Sequence, residues 1–261
     1  MRDVPLITLL TDFGDSTYPA QMKGVIHSLA PHARVVDLTH SLPFADIRWA
    51  AHTLLCSFED FPPGTVHLCV VDPGVGSCRE VLLLHAANCT FVAPDNGLLW
   101  PLWDRFSDSA RAFHLREYQG FCRSLSRTFH GRDVFAPLGA WIAKGVPLIT
   151  LGEPIARPKE SLDLPVPHVD GKVVTGSVIL VDPFGNLITN IRPSLLPGSI
   201  ARVRVGGVVV EGVAESYLQW EGRGVGAIVD SCGLLELFVF KGNAADLLRV
   251  GVGDLIVVDL A

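Results

Sequence analysis

Short apolar runs that end at polar turns recur along the first two-thirds of the chain. Five of them have the length and continuity of buried strands, and they cover residues 5–10, 34–38, 66–71, 81–85 and 90–93. Between the second and third, apolar residues from Ile47 to Phe58 recur at helical spacing, and Asp46 precedes them as a predicted N-cap. Asp133–Lys144 repeats that spacing. Strands that alternate with helices predict an α/β domain around a central, mostly parallel sheet.

The last third of the chain follows a different pattern. Proline-rich residues of mixed charge from Gly152 to Gly171 interrupt the alternation, and the runs after them are β-branched and separated by glycines. Those runs favour a small all-β domain, either a barrel or a sandwich. The predicted organisation is an α/β domain over 1–157, a linker over 158–170 and a barrel-like all-β domain over 171–261.

Composition narrows the class of protein. Of 261 residues, 49% are hydrophobic and 18% are charged, which excludes a disordered or fibrous protein. The formal net charge is −6, whereas a nucleic-acid-binding protein normally has an excess of basic residues, so nucleic-acid binding is not predicted. No apolar run reaches the roughly 20 residues that span a bilayer, so membrane association is not predicted. The first residues carry no apolar segment of a secretory signal, and we expect a cytoplasmic protein.

Polar loops follow several of the predicted strands. In α/β proteins, functional sites collect where strands end and loops begin. Each loop alone also has a purely structural interpretation, because Asp-Pro-Gly and Asp-Asn-Gly are common turns. The six cysteines include no Cys-x-x-Cys pair, so the sequence predicts no metal site.

Taken in chain order, seven motifs form a specific set. They are Thr11-Asp-Phe-Gly14, Met22-Lys-Gly24, Asp72-Pro-Gly-Val-Gly76, Ala93-Pro-Asp-Asn-Gly-Leu-Leu99, Phe129-His-Gly-Arg-Asp133, Phe184-Gly-Asn-Leu-Ile-Thr-Asn190 and Asp230-Ser-Cys-Gly233. The set resembles the S-adenosylmethionine hydroxide adenosyltransferases, which are relatives of the enzymes that make 5′-halo-adenosines. The resemblance implies an amino-terminal α/β domain, a carboxy-terminal β-barrel and a homotrimer that binds substrate between one subunit's α/β domain and its neighbour's barrel.

The resemblance also implies a reaction. Water or hydroxide attacks the 5′-carbon of S-adenosylmethionine in line with the carbon–sulfur bond, and adenosine and L-methionine are released. The reaction calls for no cofactor. By the same resemblance, Asp72, Arg79 and His130 hold the nucleophilic water. We expect Asp72 and Arg79 to orient the water, and His130, which titrates near neutrality, to accept its proton.

Other residues of the set are implied to bind the substrate. The resemblance assigns the ribose hydroxyls to Asp12, the purine edge to Asn186 and the methionine ammonium to Asp182. Phe184 and Tyr217 are candidates to stack on the adenine ring. Further residues are expected to line the same cavity, and they are Asp95, Asn96, Ser231 and Cys232.

Two departures from the family pattern border the implied site. The loop from Gly14 to Met22 is shorter than in the family, and Ala45 stands where an aromatic residue is expected. Two alternative functions stay open, a non-catalytic protein that binds adenosine or S-adenosylmethionine, and a halide adenosyltransferase. The halide-using relatives lack the acidic residue at Asp72, and a carboxylate there favours water over chloride or fluoride.

Overall fold

Two sheets organise the chain, one in each of two units. The computed structural model describes residues 4–116, 125–196 and 198–261, and the units are Met1–Leu162 and Asp163–Ala261. The segment predicted as a linker contains a short strand, β8 (His168–Asp170), which pairs with the strand that follows it. Every helix in the described part of the chain is too short or too polar to cross a bilayer.

The first unit is a seven-stranded mixed sheet flanked by helices. Its strands are β1 (Leu6–Thr11), β2 (Arg34–Thr39), β3 (Val66–Val70), β4 (Val81–Ala86), β5 (Cys89–Pro94), β6 (Arg111–Leu115) and β7 (Gly152–Ile155). Its helices are α1 (Tyr18–Leu29), α2 (Ile47–Ser57), α3 (Trp100–Phe106), α4 (Ala136–Ala143) and α5 (Leu148–Leu151). Across the described sheet the strand order is β2-β1-β3-β5-β4-β6-β7.

This sheet is mixed rather than mostly parallel, which corrects the prediction. Strands β2, β1, β3 and β5 run parallel, whereas β4, β6 and β7 pair antiparallel with their neighbours. Ala87 and Asn88 join β4 to β5, and their φ values of 49° and 60° are those of a two-residue hairpin turn. A parallel pair needs a crossover of a dozen or more residues. The short connection therefore forces an antiparallel pair.

Helix α2 begins where the sequence predicts. The Asp46 side chain accepts a hydrogen bond from the Trp49 backbone N–H at 2.9 Å, as an N-cap does. The apolar face of the helix packs into the core on one side of the sheet, with Ala50, Ala51 and Leu54 buried. The helical spacing therefore predicted both the element and its buried face.

The core of this unit holds a buried histidine. His67 of β3 has no exposed surface, its Nδ1 lies 2.8 Å from Thr8 Oγ1, and its ring stacks on Phe91. Burial lowers the pKa of His67 to about 4. In the unfolded chain a histidine has its ordinary pKa of about 6.5, so between these values the unfolded state binds more protons. The free energy of unfolding therefore falls as pH drops through this window.

We expect His67→Gln to remove this part of the pH dependence. Wild-type protein should lose on the order of 3 kcal/mol of stability between about pH 6.5 and pH 4 through His67, and the variant should lose correspondingly less. Urea denaturation at several pH values in this window measures the difference. His32→Gln, at an exposed histidine, is the control and should keep the wild-type slope. Equal slopes in the wild-type and His67→Gln proteins would contradict the assignment.

The second unit is a barrel-like, mostly antiparallel sheet. Besides β8, its strands are β9 (Val173–Val181), β10 (Leu187–Thr189), β11 (Ile200–Val205), β12 (Val208–Glu211), β13 (Val225–Val229), β14 (Leu235–Val239) and β15 (Leu255–Leu260), and its helix is α6 (Ala244–Leu248). The order is β12-β11-β15-β9-β10-β14-β13, with β8 on β9. A bridge from Ala214, just after β12, to Ile228 of β13 brings the two ends of this order together. The sheet is therefore nearly closed, and of the two predicted architectures it is the barrel that this unit resembles.

Candidate active site

Three polar side chains meet in the first unit, near the end of β3 and the start of β4. Asp72 follows β3, Arg79 precedes β4, and His130 lies in the segment before α4. Arg79 Nε donates to Asp72 Oδ1 at 2.9 Å and contacts Oδ2 at 3.1 Å, and Arg79 Nη2 pairs with the same carboxylate. Nη2 also lies 2.8 Å from His130 Nδ1. The structure thus brings together the three residues that the sequence proposes for the nucleophile.

This cluster is shielded from water. The side chains of Arg79 and Asp72 are only 10% and 6% exposed, and the guanidinium lies over the Phe135 ring at 5.6 Å. A planar guanidinium suits both contacts, because it binds a carboxylate with two N–H groups and stacks on an aromatic face. The ion pair therefore holds the Asp72 carboxylate in one orientation.

The Arg79 contact fixes how His130 carries its hydrogen. A guanidinium is a donor only, so His130 Nδ1 accepts, and the hydrogen of the neutral ring lies on Nε2. Burial, followed by the Arg79 charge, lowers the pKa of His130, while Asp72 and Asp133 oppose this shift. The ring is therefore neutral at pH 7, with its one basic lone pair directed at Arg79.

An irregular turn of helix follows His130. Residues Gly131–Phe135 form a π-helical turn ahead of α4, a feature that is frequent at functional sites. Within it, the Asp133 carboxylate accepts from the Ser126 backbone N–H at 2.8 Å and from Arg132 Nε at 2.7 Å. Although burial acts to raise it, these hydrogen bonds lower the pKa of Asp133. Asp133 thus ties the turn to the chain that leads into it.

A glycine allows the Asp72 loop to approach this segment. Gly76 has a φ of +80°, and a Cβ placed on it would lie 2.3 Å from the Arg127 carbonyl oxygen. Both the conformation and the distance exclude a larger residue unless the backbone moves. Gly76 therefore joins the loop of Asp72 and Arg79 to the segment that ends at His130.

We expect Gly76→Ala to destabilise the protein by about 3 kcal/mol, from backbone strain together with the clash. The matched control is Gly64→Ala, because Gly64 has a similar φ of +86° but nothing within 4 Å of its Cβ position. The control should lose only about 1 kcal/mol, the cost of the left-handed conformation. Urea denaturation of both variants measures this difference. Equal losses would show that the backbone around Gly76 moves aside for the methyl group at no cost in stability.

Asp12 lies at the end of β1, where several groups fix its loop. Its Oδ2 accepts from the backbone N–H of Ala45 at 2.9 Å. His40 holds the same loop twice, through its Nδ1 to Thr11 Oγ1 at 2.9 Å and through its carbonyl to the Gly14 N–H at 2.7 Å. Ala45 itself has a φ of +60°. The departure from the family pattern at Ala45 therefore falls on a residue whose backbone contacts Asp12.

Asp95 and Asn96 have partners inside the first unit. Asp95 is buried, and its carboxylate binds His114 Nε2 at 2.6 Å and the backbone N–H groups of residues 159 and 160. Asn96 Nδ2 donates to the Val71 carbonyl at 2.9 Å, one residue before Asp72. These contacts brace the loops around the cluster. Substrate contact by either side chain stays a prediction.

In the second unit, Asp182 organises the turn between β9 and β10. Its Oδ1 accepts from the backbone N–H groups of Phe184 and Asn186, both at 2.8 Å, and its Oδ2 accepts from Asn186 Nδ2 at 3.0 Å. Gly185 has a φ of +82° and packs against Asn243, with no space for a Cβ. The Phe184 ring is 76% exposed. Asp182 thus positions Asn186, and the turn presents an aromatic ring to its surroundings.

A second turn of this unit carries Ser231 and Cys232. Asp230 Oδ1 accepts from the backbone N–H groups of Cys232 and Leu234, each at 2.8 Å. Nearby, the Tyr217 hydroxyl donates to Glu236 Oε1 at 3.0 Å. The charges of both Asp182 and Asp230 act on Tyr217 and on Glu236. The second unit therefore gathers the residues that the sequence proposes for the purine and the amino acid part.

Sequence reasoning missed two residues of these clusters. His40 braces the Asp12 loop from 28 positions further along the chain, and no local pattern indicates that contact. Glu236 is buried in an apolar strand. The available signal for Glu236 was a single acidic residue within the apolar run Leu234–Phe240. Burial of a carboxyl group costs free energy unless a partner compensates it, so such a residue points to a specific contact.

Comparison with known proteins follows the same division of the chain. The family model of the SAM hydroxide adenosyltransferase N-terminal domain matches residues 7–152, and that of the C-terminal domain matches residues 176–257. An (R)-S-adenosyl-L-methionine hydrolase of Salinispora arenicola is 38% identical over 97% of both chains. A fluorinase of Actinoplanes sp. is 27% identical over 72% of each chain. The chain belongs to the SAM hydroxide adenosyltransferase family.

A solved structure supports the same fold. A conserved protein from Thermotoga maritima, described only as uncharacterized, is 36% identical and superimposes with a TM-score of 0.87. The match covers 97% of this chain and 99% of that one. The likeness therefore extends over both units.

Proposed function

We propose that this protein hydrolyses S-adenosyl-L-methionine to adenosine and L-methionine. The observation that carries the proposal is the Asp72–Arg79–His130 cluster, in a chain of this family whose 38% identical relative is named a hydrolase of that substrate. The cluster provides a buried carboxylate and imidazole that can hold a water molecule. No cofactor or metal is part of the proposal.

The chemistry makes positioning the main requirement. A water oxygen forms a bond to the 5′-carbon as the bond from that carbon to sulfur breaks. The electron pair of the broken bond stays on sulfur, which leaves as the neutral thioether of methionine. The leaving group needs no proton, because the sulfonium already carries the positive charge. Holding the water in line can lower such a barrier by roughly 7–11 kcal/mol.

In this reaction, Asp72 accepts a hydrogen from the water and directs its oxygen towards the carbon, while Arg79 holds the carboxylate still. After attack, the new oxygen–carbon group is a protonated alcohol and therefore a strong acid. A weak base is sufficient to accept its proton, so the lowered pKa of His130 is no obstacle. In the proposal the proton goes to His130 Nδ1, the ring atom with the lone pair. The contact between Arg79 Nη2 and Nδ1 opens at this step, while Arg79 Nε keeps its hydrogen bond to Asp72.

In the proposal, as the family resemblance implies, each substrate contacts the first unit of one subunit and the second unit of its neighbour. Asp12 of the first unit binds the ribose hydroxyls. The Ala45 N–H uses one acceptor position of its Oδ2 and holds the carboxylate in place, and the remaining acceptor positions can bind a diol. In the second unit, Asn186 recognises the purine edge, Tyr217 and Phe184 contact the ring face, and Asp182 attracts the ammonium group. Contacts from Ser231 and the Cys232 backbone complete that set.

Assembly and location belong to the proposal as well. The family resemblance favours a homotrimer that completes each site with residues of two subunits. The proposal keeps the cytoplasmic setting that is expected from the sequence. Light scattering of the purified protein tests the trimer, since the 28.2 kDa chain predicts a distinct mass for each assembly.

A halide adenosyltransferase is the second candidate, because a fluorinase matches 72% of the chain. The Asp72 carboxylate opposes this function, since it repels a halide ion but attracts a water hydrogen. Incubation with S-adenosylmethionine in high chloride and in high fluoride, followed by chromatography, tests the candidate directly. The 5′-halo-adenosine would then appear in place of adenosine.

Product analysis in oxygen-18 water tests the main proposal. The expected product is adenosine that carries the label in its 5′-hydroxyl, together with an equal amount of methionine. The relative's name specifies the R configuration, so the R and S diastereomers at sulfur are assayed separately. Adenosine binding in calorimetry without methionine release would instead support the non-catalytic binding protein.

A further inference from the structure

The barrel-like unit buries one acidic side chain that the proposed reaction leaves without a role. Glu236 is the second residue of β14 and is 4% exposed. Its neighbours in the strand are Leu235 and Leu237, and the residues paired with it across β10 and β13 are Ile188 and Ile228. A carboxyl group in such surroundings is costly to ionise. The strand would be more stable with an apolar residue, so a function is the better explanation for Glu236.

The contact that Glu236 makes leads to the substrate set. The Tyr217 hydroxyl donates to Glu236 Oε1 at 3.0 Å, and the edge-to-face packing of the Tyr217 ring on Phe238 has a centroid distance of 4.8 Å and an angle of 88°. Tyr217 is nevertheless 43% exposed. One polar and one apolar contact therefore hold the buried side of a ring whose remaining surface is accessible.

Within the part of the chain that the structure describes, three groups with charge or a titratable proton act on Glu236. They are Tyr217, Asp182 in the turn after β9, and Asp230 in the turn before β14, whereas the paired positions on β10 and β13 are apolar. Burial, assisted by the two aspartates and opposed by the Tyr217 hydrogen bond, raises the pKa of Glu236 to about 7. Burial and the Glu236 charge raise the pKa of Tyr217 to about 12, so Tyr217 keeps its hydrogen. Of the hydrogen-bonded pair of Glu236 and Tyr217, Glu236 is therefore the member that changes its protonation near neutral pH.

We propose that Glu236 is a positioning residue for nucleoside binding, which holds Tyr217 firmly when its carboxylate is ionised and less firmly when it is protonated. The inference rests on the proposed function, in which Tyr217 contacts the adenine. An ionised carboxylate accepts a charge-assisted hydrogen bond, which is roughly twice as strong as the neutral one. Ordering the ring before the ligand arrives lowers the entropic cost of binding. The affinity for the adenosine part therefore rises as Glu236 loses its proton.

The test compares KM for S-adenosylmethionine between about pH 6 and pH 8 in the wild type, Glu236→Gln and Tyr217→Phe. In the wild type, KM should fall about fivefold as pH rises, the ratio expected between a neutral and a charge-assisted hydrogen bond. Glu236→Gln cannot ionise, so its KM should stay at the wild-type value for low pH throughout. Tyr217→Phe should likewise abolish the pH dependence, and the double variant should add nothing further. Glu221→Gln, at an exposed glutamate outside this cluster, should behave as the wild type does.

Two results would overturn the inference. One is a Glu236→Gln protein whose KM keeps the wild-type pH dependence. The other is a loss of thermal stability with an equal loss of activity at every pH, which would mark a purely structural residue. If the wild type releases no methionine, the proposed function fails, and calorimetric Kd values for adenosine in the same variants decide the inference separately. Adenosine is uncharged across this pH range, so a change in its Kd reports on the protein.

Discussion

Asp72→Ala is expected to lower kcat for S-adenosylmethionine hydrolysis about a thousandfold, within the range found for groups that orient or deprotonate a nucleophile. The substitution removes the acceptor that directs the water, and it leaves the buried Arg79 guanidinium without its carboxylate. Because the ribose and purine contacts lie elsewhere in the proposed site, KM should change much less than kcat. Timed release of adenosine and methionine by chromatography measures both constants.

Two further variants make this result interpretable. Asp72→Asn keeps the size of the side chain but loses the charge, and it should retain more activity than Asp72→Ala because an amide oxygen can still accept from water. Asp108→Ala, at an exposed aspartate after α3, is the matched control and should leave kcat unchanged. A folded Asp72→Ala protein with wild-type kcat would remove Asp72 from the mechanism and leave its ion pair with Arg79 as a brace for the loop.

His130→Ala is expected to lower kcat about a hundredfold and to change its pH dependence. The neutral ring is the form that accepts a proton, and its pKa lies below the ordinary value of about 6.5. Wild-type kcat should therefore be constant near neutrality and fall only in more acidic solution, as the ring becomes protonated. In His130→Ala this decrease at acid pH should be absent. Initial rates between about pH 4.5 and pH 8 test the expectation.

The alternative outcome for His130 is equally specific. A uniform loss of kcat that keeps the wild-type decrease at acid pH would make the imidazole a positioning residue for Arg79, which is the contact that the structure shows. His27→Ala, at an exposed histidine of α1, is the control and should keep both rate and pH profile. Circular dichroism at each pH separates loss of catalysis from unfolding, which His67 promotes in acid.

Each unit buries polar groups at a cost in stability. The first unit buries an ion pair beside a neutral histidine, and the second buries a carboxyl group whose pKa is raised to about 7. Both arrangements are less favourable for folding than apolar packing would be. Residues that cost stability in this way are expected where a reaction or a ligand requires them.

The sequence by itself determined the local features of this protein. Short continuous apolar runs predicted strands, and helical spacing after Asp46 predicted α2. The β-branched runs separated by glycines predicted an all-β second domain. The ordered motifs indicated the family that the domain matches confirm. These features depend on neighbouring residues and on chain order, which the sequence contains directly.

Only the tertiary structure decided which distant groups touch. The direction of β4 depended on two left-handed residues in a turn, and the partners of Asp95, Asp12 and Glu236 lie at least 19 positions away. Hydrogen bonds of this kind form because a folded core removes water and leaves each buried polar group to find a partner in space. Periodicity records which face of an element is buried, but it carries no information about what lies opposite.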